Sequence, residues 1–228
     1  MEIEQFMKLS AFVLEILMNV NGLFVLAPPI LLNVLPDSVR GLWNTVALGN
    51  SEYSVGGNTS GTYPVNQAPT NLFDYSLTSR YTSLGDGDGS NSPAAGLKTG
   101  FYATVGWCPS ILKGFIISTC NTGQPRDPLQ ITIEGSMLTT DLNNGSIWTK
   151  LYDGLSGLLN TTNRSADGEY VDISNSDIYR SYRFLVTSKR GNNAPSVCYS
   201  EVKLYGHSVL GELPDMSGKY ILHLCSEK

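Results

Sequence analysis

The chain has 228 residues, enough for one domain of ordinary size with tails. Only 15% of them are Asp, Glu, Lys or Arg, and the net charge is −5 with no basic stripe, which argues against a nucleic-acid grip built on clustered Lys and Arg. Glycine, asparagine, serine, threonine and tyrosine recur throughout, a bias toward short strands joined by tight turns.

Residues 1–43 form an apolar N-terminal segment whose stretch from Leu9 to Leu35 is interrupted by Glu15 and by Pro28-Pro29. It makes an imperfect secretory signal, because Glu2 and Glu4 stand where basic residues belong; a start at Met7 would fit better. The prolines also divide it into pieces shorter than the roughly 20 residues of a membrane helix. Three readings stay open: signal or anchor, an amphipathic helix packed on an assembly partner or second copy, and an artefact of gene assignment.

From about Trp43 the pattern turns to β, and 44–206 is expected to form an all-β antiparallel sandwich of the jelly-roll kind. In the clearest strand, 129–134, apolar and polar residues alternate strictly, so one face is expected in a core and the other in water. Similar runs lie at 100–106, 111–119, 147–154, 181–188 and 197–206. Between them are loops at 85–96, 121–128, 142–146 and 189–196, with Gly, Pro and Asn where reversals need them. Beyond Gly206 the strand rhythm lapses, and 207–228 reads as a C-terminal extension.

The four cysteines, Cys108, Cys120, Cys198 and Cys225, have neither CxxC spacing nor nearby histidines, which disfavours a structural zinc site. At least one disulfide is expected in a chain of this extracellular composition, with three connectivities if all four pair. Cys198 reads equally well as a buried free thiol, since it shares a face with Val202 and Leu204. Sequons begin at Asn58, Asn144, Asn160 and Asn163, all in loop-like stretches.

The order of NLFDYSLTSRYTS (71–83), GSIWTKLYDG (145–154), YRFLVTS (182–188) and YSEVKLYG (199–206) resembles the galactose-binding-domain-like superfamily. That group includes discoidin or coagulation-factor type C domains and family 32 carbohydrate-binding modules. Asp74, Ser79 and Tyr81 match its Asp, +5 hydroxyl and +7 aromatic, Glu201 matches its closing acid, and Trp148 keeps the mid-domain tryptophan without the Ser-x-Asp before it. Tyr75 stands where the family usually has glycine. The resemblance implies a structural Ca²⁺, for which Asp74, Ser76, Ser79 and Glu201 are the candidate ligands, a set of hard oxygens of the kind calcium takes.

It also implies a carbohydrate or cell-surface glycan, or a glycoprotein, bound by loops at one end of the sandwich, outside the cell. Sugar sites need apolar faces and a few fixed polar groups, and the candidates are Tyr53, Tyr63, Arg80, Arg126, Asp127, Arg190 and Asn192. Fucose-binding relatives use His with Arg-x-Asp; here Arg126 and Asp127 are adjacent and the domain body lacks His, which disfavours fucose. With histidines only at His207 and His223, no Ser-His-Asp or Cys-His arrangement fits within the sandwich, so no enzyme is expected. The alternative function is a structural subunit of a surface fibre, matrix or viral particle, with residues 1–43 buried in a neighbour.

Overall fold

The computed structural model describes residues 28–209 except Trp107, together with the backbone of 17–20, 23–26, 212–214 and 220–222. The strands of the two main sheets are β1 (Ile30–Leu31), β2 (Arg40–Trp43), β3 (Glu52–Tyr53), β4 (Tyr81–Ser83), β5 (Thr99–Thr104), β6 (Ser110–Thr119), β7 (Pro128–Ser136), β8 (Thr149–Leu155), β9 (Val171–Asp172), β10 (Ser181–Lys189) and β11 (Val197–Ser208). One sheet has the order β8-β7-β10-β5-β2-β3; the other has β9-β6-β11-β1, with β4 also paired to β11. Every pairing in both is antiparallel. The protein is therefore an all-β sandwich, and its strands coincide with the runs read from 100–206. The sheets also take in Ile30–Leu31 and Arg40–Trp43, both N-terminal to Asn44.

The core lies between the sheets and combines aliphatic side chains with a cluster of aromatic rings. Phe101 of β5 stacks on its register partner Phe184 of β10 with ring centroids 5.0 Å apart, and Phe115 of β6 meets Phe184 edge-on at 5.8 Å. Tyr199 of β11 and Tyr81 of β4 continue the cluster edge-to-face at 5.7 Å. Each such pair adds roughly 0.5–1.5 kcal/mol beyond the area it buries. Gly100 is required beside it, because a Cβ there would stand 1.8 Å from the Phe184 carbonyl oxygen, too close for any side chain.

The outer face of the larger sheet differs from the expectation for 129–134. Gln130 is exposed, but Thr132 and Glu134 are buried at 4% and 0% exposure. They are covered by the loops around 44–51 and 141–148, which bring Leu42, Tyr102, Leu142, Trp148 and Leu185 into a second apolar cluster. Glu134 accepts from Arg183 Nε at 2.6 Å and from the Leu48 amide at 2.6 Å. Arg183, also fully buried, donates to Gly49 O and Ser51 Oγ and places its guanidinium 4.7 Å from the centroid of the Trp148 ring. The polar half of the alternation thus serves an internal ion pair that fastens a loop onto the sheet.

A disulfide joins Cys120, just after β6, to Cys198 on β11, so the free-thiol reading of Cys198 is set aside. Cys108 is disulfide-bonded too. In place of a helix, the backbone of Leu17–Val20 and Leu23–Leu26 forms an antiparallel pair. The rest of the signal, anchor or partner readings for 1–27, like most of 207–228, falls outside the described residues. Among those residues no helix is long and apolar enough to cross a membrane.

Candidate functional site

The sequence-predicted oxygens at 74–79 and 201 do meet. A short 3-10 helix, Pro69–Phe73, buries Leu72 and sets Phe73 edge-on against Phe101 at 5.6 Å, which anchors the turn that follows at the core. Asp74 ends it, and Tyr75 takes φ 60°, the left-handed conformation that glycine adopts without cost. Tyr75 itself is 75% exposed. The Ser76 amide then donates to Asp74 Oδ1 at 2.9 Å and to Glu201 Oε1 at 3.0 Å. The Ser79 hydroxyl lies 2.9 Å from Asp74 Oδ1 and 3.0 Å from the Ser76 carbonyl, whereas the Ser76 hydroxyl turns back to Thr78.

Two carboxylates converging on one amide repel each other. Burial first, and then the neighbouring Asp74, push the Glu201 carboxyl up to about 8, with the Ser76 amide working in the opposite sense. The donor set is all oxygen: two carboxylates, the Ser76 carbonyl and the Ser79 hydroxyl. That suits a hard cation completed by carbonyls or water, and not zinc, which prefers nitrogen and sulfur. Among the described residues no group of three or more His, Cys, Asp or Glu side chains is gathered for a metal.

The second feature is a cleft of about 430 Å³ at the end of the sandwich where β4 runs toward β5, β6 into β7 and β10 into β11. Asn91, Gly123, Pro125, Arg126, Gly191, Asn193, Ala194 and Pro195 line it. Three interactions fix its walls. Buried Lys189 donates its ammonium to Ser92 O at 2.7 Å and to Ala95 O and Ala194 O at 2.6 Å each, tying two of the loops together. Its burial lowers the ammonium's pKa. Asp127, fully buried, receives Arg164 in a fork at 2.6 and 2.8 Å and Arg190 Nε at 3.4 Å. The Cys120–Cys198 bond closes the base of the 120–127 loop.

Of the sequence candidates for ligand contact, the cleft brings in Arg126, whose side chain donates to Thr122 Oγ1 and, at 3.5 Å, to Ser196 Oγ. Arg80 is nearby, donating to Gln67 Oε1 at 3.0 Å and to Asn121 Oδ1. Asn192 is exposed on the loop whose next residue, Asn193, faces the cleft. Asp127 and Arg190 instead hold the loops: the carboxylate is enclosed, and Arg190 also donates to the carbonyls of Leu158, Leu159 and Thr161. Tyr53 lies on β3 with its ring 6.0 Å from Tyr102, and Tyr63 packs 6.0 Å from Tyr81, so neither lines the cleft. Sequence reasoning missed Lys189, Arg164, Asn91 and Asn193. Lys189 and Arg164 read as surface cations, and only their position under folded loops reveals the role.

No protein-family model matches the chain, and neither does any curated protein. Similar solved structures include a family 32 carbohydrate-binding module from Clostridium perfringens NanJ, in complex with galactose. It has 10% identity and a TM-score of 0.48 over 77% of this chain and 99% of that one. A second is a module, CBM32-3, of a family 31 glycoside hydrolase from Clostridium perfringens, with 12% identity and a TM-score of 0.48 over 76% and 95% of the two chains. A third is the C-terminal domain of a chitobiase from Bacteroides fragilis, with 14% identity and a TM-score of 0.45 over 64% and 85%.

Proposed function

We propose that this protein is a non-catalytic, extracellular glycan-binding module that takes its ligand in the loop cleft around Arg126. The observation that carries the reading is a preorganised polar cleft at the end of a rigid sandwich. Arg126, held by Thr122 and Ser196, and the exposed Asn91 and Asn193 offer polar groups for hydroxyls, while Pro125, Ala194 and Pro195 offer apolar surface for a pyranose face. Walls already locked by Lys189, Asp127 and a disulfide lose little freedom on binding, which favours weak polar ligands. The disulfide itself fits an oxidising compartment, secreted or at the cell surface.

A glycan array with light scattering on the same sample tests the reading. A sugar-binding protein is expected, with Arg126→Ala weakening binding by about tenfold or more, the value of losing a charge-assisted hydrogen bond. A sugar-blind oligomer would favour the assembly-subunit reading instead.

We propose further that Ca²⁺ organises the 74–79 turn, with Asp74, Glu201, the Ser76 carbonyl and the Ser79 hydroxyl as its protein ligands. The support is the convergence of two carboxylates on a single amide, a repulsion that a divalent cation would relieve. Glu201 holds its proton more tightly folded than unfolded, so its stabilising share is complete below the ordinary carboxylate range, about 4.5, and is lost as pH rises through about 8. In chelator the melting temperature should therefore fall between these values, and millimolar calcium should restore it at pH 8. A ligand at a hundredfold excess over its Kd adds about 2.7 kcal/mol. Asp74→Ala and Glu201→Ala should abolish the calcium response, whereas Asp86→Ala, in the glycine-rich loop, should retain it. Identical melting curves of the wild type in calcium and in chelator would remove the metal from the proposal.

A further inference from the structure

The cleft is more basic than the chain around it. Arg126 and Arg80 hydrogen-bond only neutral acceptors, the Thr122 and Ser196 hydroxyls for the first and the Gln67 and Asn121 amide oxygens for the second. Among the described residues neither forms an ion pair. Arg164 stands close by, and its charge is matched by Asp127, which Arg190 also shares. The carboxylate next to Arg126 along the chain, Asp127, is taken up by Arg164 and Arg190, and Asp86 and Asp88 belong to an exposed turn, where Asp88 accepts from the Ser90 amide at 3.0 Å. Arg126 on the cleft wall, and Arg80 close enough to act on its charge, thus stand without an ion-pair partner among the described residues of a protein of net charge −5. Burial first, and then the neighbouring Arg80 and Arg164, lower the pKa of Arg126, against a smaller opposing pull from Asp127.

Resting on the glycan-binding reading of this cleft, we infer that its ligand is an acidic glycan, whose carboxylate or sulfate ester supplies the counter-charge that Arg126 and Arg80 lack. A planar guanidinium meets either group through two parallel N–H donors, which a neutral hydroxyl cannot match. An anion here also gains from the partial burial of Arg126, where water screens the attraction less than at an open surface.

The test uses the full chain on an array of matched glycans that differ only in a uronate or sialate carboxylate, a sulfate ester or neither, read at about 0.05 M and about 0.5 M salt. The expected result is a preference of about tenfold or more for the charged member of each pair at low salt, shrinking at high salt. The ranking of carboxylate against sulfate identifies which source the site takes. Arg126→Gln and Arg80→Gln are each expected to erase the preference while leaving residual binding of neutral glycans. Arg80→Gln and the salt series keep the test decisive should Arg126→Gln fail to fold. Equal binding of neutral and charged partners by the wild type would overturn the acidic class and leave the glycan reading standing. No binding to any glycan would overturn both.

Discussion

Replacing Glu134 by alanine is expected to cost the fold about 3–5 kcal/mol, the range for removing one partner of a fully buried ion pair. The arginine left behind cannot deprotonate, so its charge would remain in the interior without the carboxylate 2.6 Å away. The same substitution frees the Leu48 amide, so the 44–51 loop should come loose from the sheet. Urea unfolding reads the first effect, and faster hydrogen exchange confined to that loop reads the second. Glu134→Leu combined with Arg183→Met should recover most of the loss, because a neutral pair of similar volume restores packing without a buried charge. A single variant as stable as the wild type would show that solvent reaches the pair.

Removing the Cys120–Cys198 disulfide by paired alanine substitution is expected to cost about 2–4 kcal/mol. The bond spans 78 residues, a long loop whose closure restricts the unfolded chain, and it ties β6 to β11 at the cleft end. Cys120 O also accepts from Arg164 Nε at 2.9 Å, so the loosened loop should disturb the fork on Asp127 and weaken ligand binding as well. Denaturant midpoints with and without reductant measure the first effect. Free thiols titrating in the unreduced, unfolded protein at residues 120 and 198 would contradict the bond.

The six long strands, β5 to β8, β10 and β11, were legible because each carries its own local pattern, and β6, β10 and β11 lie within a residue or two of the runs read from composition and alternation. The two- to four-residue strands β1 to β4 and β9 are too short to carry one. What alternation hides is the environment of the second face. Glu134 looks like a solvated strand residue until Arg183, 49 positions later, is brought opposite it under a loop. The carboxylate pair was legible only through a spacing shared with a family, since Asp74 and Glu201 lie far apart in the chain. Arg126 was legible as a loop cation, whereas Asp127 and Arg190, read as ligand contacts beside it, pair with each other and hold the loops. Which charged side chain faces solvent and which faces backbone is decided by packing, not by type.

The borders of the two sheets bear on how copies of this protein meet. Three of the outermost strands, β1, β3 and β9, are two residues long, too short to template a further strand from another chain. Of the two longer borders, β4 has three residues, all buried, and β8 has a register irregularity opposite Ile133 and Glu134 and carries the exposed Lys150–Asp153 pair. Growth by strand addition, and with it fibrous aggregation of folded molecules, is discouraged at these borders of the two sheets. Crowded on a surface at high local concentration, these sandwiches would touch through loops and faces alone, leaving the cleft ends free to act together on a multivalent target.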